Sequence, residues 1–209
     1  MNEHSAGRLF IVAAPSGAGK TSLVHRLVCD VPQLHVSISH TTRACRPGEK
    51  DGEDYFFVDE ACFSDMIAAG AFLEYAQVFG SWYGTSFAQI NTRLLQGIDL
   101  VLDIDWQGAQ QIKRTFVDAV SIFILPPSLP ILEQRLISRH QDSADVIAYR
   151  MQRATNELSH YHEFDYLVVN DDFNDAVGAL EAIVRSDRLR TSRQMMAQQK
   201  LLSFLLASK

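Results

Sequence analysis

The chain has 209 residues, of which 47% are hydrophobic and 21% are charged, a balance that is ordinary for a soluble globular protein. This length suffices for a real core in one domain with insertions. The formal net charge of −6 argues against a nucleic-acid partner, because nucleic-acid-binding surfaces need clustered lysine and arginine. We therefore interpret each basic residue individually, as a possible ligand of a small anion.

Three cysteines, Cys29, Cys45 and Cys62, form an odd set without metal-type spacing, and they predict reduced thiols in a cytoplasmic protein. No apolar run approaches the roughly 20 residues that span a bilayer, so no membrane partner is expected. The N-terminal residues lack the basic start that is typical of a signal peptide.

The first predicted elements are an apolar strand and a helix joined by a glycine-rich turn, which is the context of a phosphate-binding P-loop. The turn and the start of the helix read Ala14, Pro15, Ser16, Gly17, Ala18, Gly19, Lys20 and Thr21. Glycines let backbone N–H groups wrap an anion, and the helix directs its positive end at the same anion. In such a loop the lysine can reach the β- and γ-phosphates of the ligand, and the threonine hydroxyl can ligate Mg²⁺.

The loop departs from the consensus at Ala14, where glycine is usual. We expect alanine to be tolerated there in an α or β backbone conformation. The alternative interpretation of the whole segment is a glycine-rich strand–helix turn with a surface lysine and no ligand.

Apolar runs that are typical of buried strands alternate with helical stretches along the chain. The predicted strands are 9–14, 100–104, 121–125 and 166–169, and the predicted helices are 19–29, 106–115, 128–138 and 173–190. This alternation indicates an α/β fold with a parallel sheet and helices on both faces.

Residues 36–84 differ from the rest of the chain in composition and pattern, since they are rich in Ser, Thr, Gly and aromatic residues and contain short alternating runs. They predict a small mixed or antiparallel insertion holding one helix at about 60–69, with Asp59 as its N-cap. We expect Ser86 to cap the next helix and Gly97 to end it.

Two further helical segments are predicted towards the C-terminus. Residues 133–158 form an arginine-dotted insertion, and residues 187–209 end in the run Leu201-Leu-Ser-Phe-Leu-Leu206. So many apolar residues at a chain end predict either a homo-oligomer interface or packing against the chain's own core.

Asp103 and Asp105 follow the predicted strand at 100–104. Ligands of open α/β sheets bind outside the carboxyl ends of the strands, and a spacing of two places both side chains on one face. One of them is expected to support Mg²⁺ beside the P-loop. The alternative is that both cap the helix that begins near residue 107.

Residues 37–49 combine hydroxyl side chains with Arg43 and Arg46. Guanidinium groups match the oxygens of a phosphate, although loop arginines often have no such role. Beside a P-loop, a second phosphate clamp indicates a second phosphorylated ligand.

Several short motifs stand in a fixed order after the P-loop. They are Ser39-His-Thr-Thr-Arg43, Arg46-Pro-Gly-Glu49, Gly52-x-x-Tyr55-x-Phe57, Phe72-Leu-Glu74, Tyr83-Gly-Thr85, Leu102-Asp-Ile-Asp-x-Gln-Gly108 and Val169-Asn-Asp-Asp172. This set closely resembles the guanylate kinases of the bacterial type, from about residue 7 to residue 190. The combination is highly specific, although each piece alone is not.

The resemblance implies a kinase that transfers a phosphoryl group from ATP to GMP with Mg²⁺. It implies an α/β fold in which a P-loop core with a parallel sheet carries a small mixed α/β GMP-binding insertion and a helical lid. The implied ranges are 7–38, 95–132 and 159–190 for the core, 39–94 for the GMP-binding region, 133–158 for the lid and 191–209 for the helical tail.

The resemblance also assigns roles to single residues. On the GMP side, Arg43, Arg46, Tyr55 and Tyr83 would hold the phosphate, and Ser39, Glu74, Thr85 and Asp105 would surround the guanine. On the ATP side, Arg139 and Arg150 would reach the transferring phosphoryl group, and Asn170 would lie near the adenine. Lys20, as a catalytic residue, and Thr21, as a metal ligand, take their roles from the P-loop pattern. Asp103 is named as the second metal ligand, with Asp105 as the alternative. Ser138 and His140 replace two glycines of the family pattern around Arg139, so a stiffer lid turn is expected.

The chemistry of the bases favours Glu74 as the residue that distinguishes guanine from adenine. Guanine presents two adjacent donors, and an ionised carboxylate offers two acceptors and no donor. Alternation along the apolar run at 72–78 would place this side chain on the face opposite to its neighbours.

Two other classes of protein are weighed against the kinase. Scaffolds with a guanylate-kinase-like fold bind partner peptides without catalysis, and they would be expected to lack the P-loop lysine or the lid arginines. GTPase switches read guanine with Asn-Lys-x-Asp, which is absent from this chain.

Overall fold

The computed structural model describes residues 7–78, 80–138 and 144–207. Its strands are β1 (Leu9–Ala13), β2 (Leu34–Val36), β3 (His40–Thr41), β4 (Phe56–Phe57), β5 (Phe72–Val78), β6 (Ser81–Ser86), β7 (Asp99–Asp103), β8 (Val120–Leu125) and β9 (Tyr166–Val169). Its α-helices are α1 (Lys20–Asp30), α2 (Glu60–Ala68), α3 (Phe87–Leu95), α4 (Trp106–Thr115), α5 (Leu129–Ser138), α6 (Ala144–Leu158), α7 (Phe173–Arg188), α8 (Thr191–Ala197) and α9 (Gln199–Ala207). A 3₁₀ helix covers Ser159–Glu163.

The core is a parallel sheet with the strand order β2-β7-β1-β8-β9. Its central strand β1 is buried along its whole length because helices cover both faces. Phe10 and Val12 pack on the side of α1 and α7, whereas Leu9 and Ile11 pack on the side of α3 and α4. The predicted α/β fold with helices on both faces of a parallel sheet is confirmed.

The two edge strands differ from the expectations. β2 was not predicted, because three residues carry no usable period. β9 was predicted to be buried, but Val168 is its only buried residue and Leu167 and Val169 are about half exposed. Its position at the edge of the sheet, beside β8, explains why an apolar strand is left partly open.

A second sheet, with the order β4-β3-β6-β5, forms the first insertion. β3 pairs with β4 in parallel and with β6 in antiparallel fashion, so the predicted mixed sheet is present. Helix α2 begins where predicted, since the carboxylate of Asp59 accepts the backbone N–H of Cys62 at 2.7 Å.

Helix α3 links this insertion to the core. Ser86 precedes it as predicted, but its side chain makes no capping hydrogen bond. Ile90 and Leu94 of α3 pack against Leu100 and Leu102 of the core sheet. Helix α3 therefore packs on the core sheet, and the boundary of the GMP-binding region at residue 94 stays a prediction.

The tail forms two short helices, α8 and α9, and its apolar side chains remain open. Leu201, Leu202, Phe204, Leu205 and Leu206 are between 37% and 73% exposed. Among the described residues these side chains are not buried in the core, which counts against the alternative of packing on the chain's own core. Along the described ranges, no helix is both long enough and apolar enough to cross a membrane.

Helix α8 is fixed to the core by a buried ion-pair network. Arg193 donates to Asp99 at 2.7 Å and to Asp187 at 2.8 Å, and both carboxylates are almost fully buried. Arg188 and the backbone N–H of Arg8 also donate to Asp99. Buried carboxylates need such partners, because an unpaired charge in the interior costs several kcal/mol.

We expect Arg193→Ala to lower the free energy of unfolding by about 2 kcal/mol, because two buried carboxylates each lose one charged donor. The measurement is urea denaturation followed by circular dichroism. Arg185→Ala is the matched control, since Arg185 is 61% exposed and pairs with Glu181 on the same helix face. The control should lose less than about 0.5 kcal/mol, and equal losses in the two variants would contradict the network.

Candidate active site

The P-loop connects the end of β1 to the start of α1. Gly17 and Gly19 both have a positive φ, of 91° and 92°, which side chains other than glycine rarely adopt. A Cβ at Gly19 would lie 2.6 Å from the side-chain nitrogen of Asn170, so this position also needs the space. Among the described residues, Gln33 is the only non-glycine residue with a positive φ. Ala14 therefore has an ordinary negative φ, which agrees with the expected tolerance of alanine at this position.

Asp103 joins two P-loop residues at the end of β7. Its carboxylate pairs with the Nζ of Lys20 at 2.5 Å and accepts the hydroxyl of Thr21 at 2.8 Å. Lys20 also donates to the carbonyl oxygen of Ile104 at 2.7 Å. The lysine is therefore directed at the end of the neighbouring strand, and the interpretation as a free surface lysine is not supported.

Asp105 has a different environment from Asp103. Its carboxylate accepts the backbone N–H of Gly108 at 2.9 Å and caps the N-terminus of α4. The alternative in which both aspartates cap this helix therefore holds for Asp105 alone. Asp103 is left as the carboxylate beside the P-loop.

The donor set at Asp103 fits a magnesium ion. A hydroxyl and a carboxylate are the hard oxygen ligands that Mg²⁺ prefers, and this ion usually completes its shell with water and substrate phosphates. Thr21 and Asp103 already lie in contact at the mouth of the P-loop. No cluster of three or more metal-binding side chains occurs in the described ranges.

A second polar cluster lies in the insertion, around the buried carboxylate of Glu74. The Thr85 hydroxyl donates to Glu74 at 2.6 Å, and the Ser39 hydroxyl lies 3.3 Å from that of Thr85. Glu74 is only 3% exposed, and burial raises its pKa to about 7, with a smaller contribution from the charge of Asp105. The structure thus brings Ser39, Glu74 and Thr85 into one cluster, and the charge of Asp105, the fourth residue predicted to surround the guanine, acts on Glu74.

A β-bulge explains how the Glu74 side chain reaches this cluster. The register shifts between Phe72 and Glu74, so that Phe72 pairs with Ser86 and Glu74 pairs with Thr85. As a result Phe72, Leu73 and Glu74 are all buried, and simple alternation along this strand was the wrong expectation. Gly108 of α4 supplies the space, because a Cβ there would lie 2.7 Å from the Glu74 carboxylate.

Arg43 lies in a partly buried aromatic and acidic setting. Its guanidinium donates to both oxygens of Glu49, at 2.7 and 2.9 Å, and lies 5.3 Å from the centre of the Tyr55 ring. Burial lowers the pKa of Arg43, but the contacts with Glu49 and Tyr83 outweigh it and raise the pKa overall. Glu49 was part of a quoted motif, but its pairing with Arg43 was not foreseen.

Two tyrosines, Tyr55 and Tyr83, lie next to each other in this region. The Tyr55 and Tyr83 rings are 5.9 Å apart, and burial raises the pKa of Tyr55 to about 12, helped by the negative charge of Asp103. Arg46 is exposed, and its backbone N–H donates to Glu49 at 2.8 Å. Arg43, Tyr55 and Tyr83 are therefore assembled together, and the roles of all four residues towards phosphate remain predictions.

The lid and adenine residues are placed less completely. Arg150 lies on α6, whereas Arg139 and His140 lie outside the described residues. The amide of Asn170 is buried and donates to the carbonyl oxygen of Ala18 at 2.7 Å, so this side chain supports the P-loop backbone. Its contact with adenine remains a prediction.

One acidic residue near the P-loop was missed by the sequence analysis. Glu157, in the last turn of α6, is buried and accepts the backbone N–H of Ser16 at 3.0 Å. The only signal in the sequence is its spacing of four and seven residues from Arg153 and Arg150, which places the three on one helix face.

Comparison with known proteins agrees with this arrangement. The guanylate kinase family profile matches residues 6–187. The guanylate kinase of Legionella pneumophila (strain Paris) is 59% identical over 208 residues, which is 100% of both chains. That of Hahella chejuensis is 54% identical over 97% of both chains.

A solved structure supports the same assignment at the level of the fold. The crystal structure of guanylate kinase from Anaplasma phagocytophilum superposes with a TM-score of 0.76 and 32% identity, covering 91% of this chain and 90% of that one. The P-loop is bonded to Asp103 at the end of β7, and the insertion holds a polar cluster around the buried Glu74 carboxylate. The relatives named above match nearly the whole chain. The chain belongs to the guanylate kinase family.

Proposed function

We propose that this protein carries out ATP-dependent phosphorylation of GMP, giving ADP and GDP, with the P-loop and the Glu74 cluster as its two nucleotide sites. The single observation that carries the proposal is the contact of Asp103 with both Lys20 and Thr21. This contact gathers a phosphate-binding cation and two magnesium ligands at one point. It favours the catalytic interpretation over a peptide-binding scaffold.

The proposed GMP site recognises and positions the acceptor, and it supplies no general base or nucleophile. The phosphate of GMP is largely dianionic at neutral pH, so it needs no general base. Phosphoryl transfer depends on positioning and on neutralising charge, which arginine, lysine and Mg²⁺ supply. Arg43, Arg46, Tyr55 and Tyr83 are proposed to hold the phosphate while the Glu74 carboxylate takes the two donors of guanine.

The donor side is proposed to bind ATP through the loop at residues 14–21, with Lys20 on the transferring phosphoryl group. Mg²⁺, when bound by Thr21 and Asp103, would neutralise charge on the phosphates. Arg139 and Arg150 are proposed to join the site when the lid closes and excludes water. A cytoplasmic location is proposed as well, supported by three exposed cysteines that form no disulfide.

The proposal is tested with a coupled assay for ADP formation, using ATP with AMP, GMP, CMP or UMP. Turnover that depends on GMP and is much weaker with the other three is the expected result. ADP formation that is independent of any nucleoside monophosphate would contradict it.

In the same assay we expect Lys20→Ala to lower kcat by about 100-fold or more, because the lysine stabilises charge that shifts during transfer. The matched control is Lys113→Ala, since Lys113 pairs with Asp165 at the far end of α4. The control should keep near-normal kcat, and both variants should keep the circular dichroism of the folded protein. Near-normal kcat in Lys20→Ala would remove the central assignment.

The pKa of Glu74, about 7, predicts a pH dependence of GMP use. An acid is ionised above its pKa, and only the ionised carboxylate accepts both guanine donors, so kcat/KM for GMP should rise with pH. For a group with this pKa the increase between pH 6 and pH 8 is about 10-fold, beyond the change that comes from the GMP phosphate itself.

Glu74→Gln provides the control, because glutamine does not titrate. Its kcat/KM for GMP should be lower than that of the wild type at pH 8 and should keep only the dependence that comes from the phosphate. The GMP-over-AMP ratio should also narrow, since adenine no longer meets a carboxylate at N1. Identical pH profiles for the two proteins would show that Glu74 does not read the base.

We further propose that the tail mediates homo-oligomerisation. Helix α9 exposes five large apolar side chains, and α8 is held rigidly to the core by Arg193. Beside α8 lies an open groove of about 670 Å³ whose rim includes Leu95, Val117 and Met196, all more than half exposed. Arg8, Asp118 and Arg190 also line this groove, so only its apolar rim matches the apolar helix. That rim and the helix can bury each other across two copies of the chain.

Removal of residues 198–209 should therefore convert an oligomer into a monomer, with GMP phosphorylation retained. The cut after Ala197 keeps α8 and its ion pairs intact. Sedimentation velocity of both proteins at the assay concentration gives the answer. A full-length chain that sediments as a monomer would refute the interface.

A further inference from the structure

Helix α6 ends directly against the P-loop, and Glu157 makes the contact. This residue, the last but one of α6, is 8% exposed, and its Oε2 accepts the backbone N–H of Ser16 at 3.0 Å. The two residues are 141 positions apart in the chain, so the bond joins the second insertion to the nucleotide loop. Ser16 is partly buried, and a backbone N–H that is removed from water needs an acceptor, which a carboxylate supplies here.

The second carboxylate oxygen of Glu157 has a partner on its own helix. Arg153, one turn earlier, lies 4.0 Å from Oε1. Burial raises the pKa of Glu157, and the hydrogen bond from Ser16 and the positive charges of Arg153 and Lys20 oppose that rise. Oε2 of Glu157 thus holds the P-loop, and the charge near Oε1 is offset by Arg153 of the same helix.

The opposite side of the loop is held from the core. The Asn170 amide donates to the carbonyl oxygen of Ala18 at 2.7 Å, two residues beyond Ser16. The loop backbone is therefore held at an N–H by α6 and at a C=O by the segment after β9. Of these two supports, only Glu157 belongs to the proposed lid.

The same helix carries Arg150, seven residues before Glu157. Seven residues are two turns, so the two positions lie about 10 Å apart along one face of α6. Movement of α6 about its C-terminal end would displace Arg150 much more than Glu157. A fixed contact at Glu157 therefore limits the positions that Arg150, in the middle of α6, can reach.

We propose that Glu157 is a positioning residue that anchors the C-terminal end of the lid helix to the P-loop, and so sets the ATP phosphates and Arg150 in register. It does not touch the nucleotide and acts through Ser16. The inference rests on the proposed function, since it assumes that ATP occupies the P-loop. It predicts that the reach of the side chain matters more than its charge.

Two variants separate reach from charge. Glu157→Gln keeps the length and an oxygen that can accept from Ser16, whereas Glu157→Asp keeps the charge but is one methylene too short. We expect the glutamine variant to stay within about 3-fold of the wild type, and the aspartate variant to show an increase of about 10-fold in KM for ATP with a lower kcat. KM for GMP should change by less than about 2-fold in both, because the Glu74 cluster is a separate site.

Glu133→Asp is the matched control, because Glu133 is exposed on α5 in the same insertion, and its kinetic constants should not change. The dissociation constant of ATP, measured by calorimetry without GMP, gives a readout that does not need turnover, and it should follow KM for ATP. Thermal unfolding of each variant identifies any loss of folded protein.

The outcomes separate this proposal from the proposed function. Wild type that makes no ADP in response to GMP would overturn the function itself. Active wild type with a normal aspartate variant, or with a glutamine variant more impaired than the aspartate variant, would overturn the anchor alone. Equal losses for ATP and GMP would also overturn it, because a merely structural residue affects both substrates.

Discussion

The parallel register of β1 and β7 is the constraint on which the candidate site depends. Val12 pairs with Asp103, so the strand that leads into the P-loop ends beside the strand that supplies the acidic side chain. The carboxyl ends of parallel strands meet at one edge, and the loop closes over that edge. A shift of one residue would turn Asp103 to the opposite face of the sheet and remove it from Lys20 and Thr21. The buried faces of β1 prevent this, because they fix its alternation on both sides.

Three carboxylates near the site show how neighbours decide what an acidic residue does. Asp103 has a cation and a hydroxyl as partners, so it stays available as a ligand of hard cations. Asp105 meets the positive end of a helix, which favours a carboxylate there. Among the described residues, the side-chain donor to Glu74 is a hydroxyl and not a cation, so burial dominates and its pKa rises. A base with two N–H groups offers it the donors that Thr85 alone does not supply.

Local patterns predicted the elements and the P-loop, because strand and helix periods and the glycine spacing are properties of neighbouring residues. The four core strands β1, β7, β8 and β9 and the helices between them lie close to their predicted limits. Three features were not predictable in this way: the bulge at Leu73, the bond between Glu157 and Ser16, and the pairing of Arg193 with Asp99. Each depends on residues far apart in the chain, and each changes where one side chain points. For the same reason, Asp103 and Asp105 could not be distinguished until the start of α4 was known.

The two cations proposed to bind phosphate, Lys20 and Arg43, illustrate how a chain with net charge −6 could bind two polyanions. Lys20 pairs with Asp103, and Arg43 pairs with Glu49, so both positive groups are held in place by carboxylates of the same chain. Glu49 is itself held by the backbone N–H of Arg46 at 2.8 Å, and its pKa is lowered because the contacts with Arg43 and Arg46 outweigh burial. A phosphate dianion competes for these donors with twice the charge of a carboxylate. The carboxylates of Asp103 and Glu49 therefore orient Lys20 and Arg43 before a ligand binds. A surface rich in lysine and arginine is then not needed.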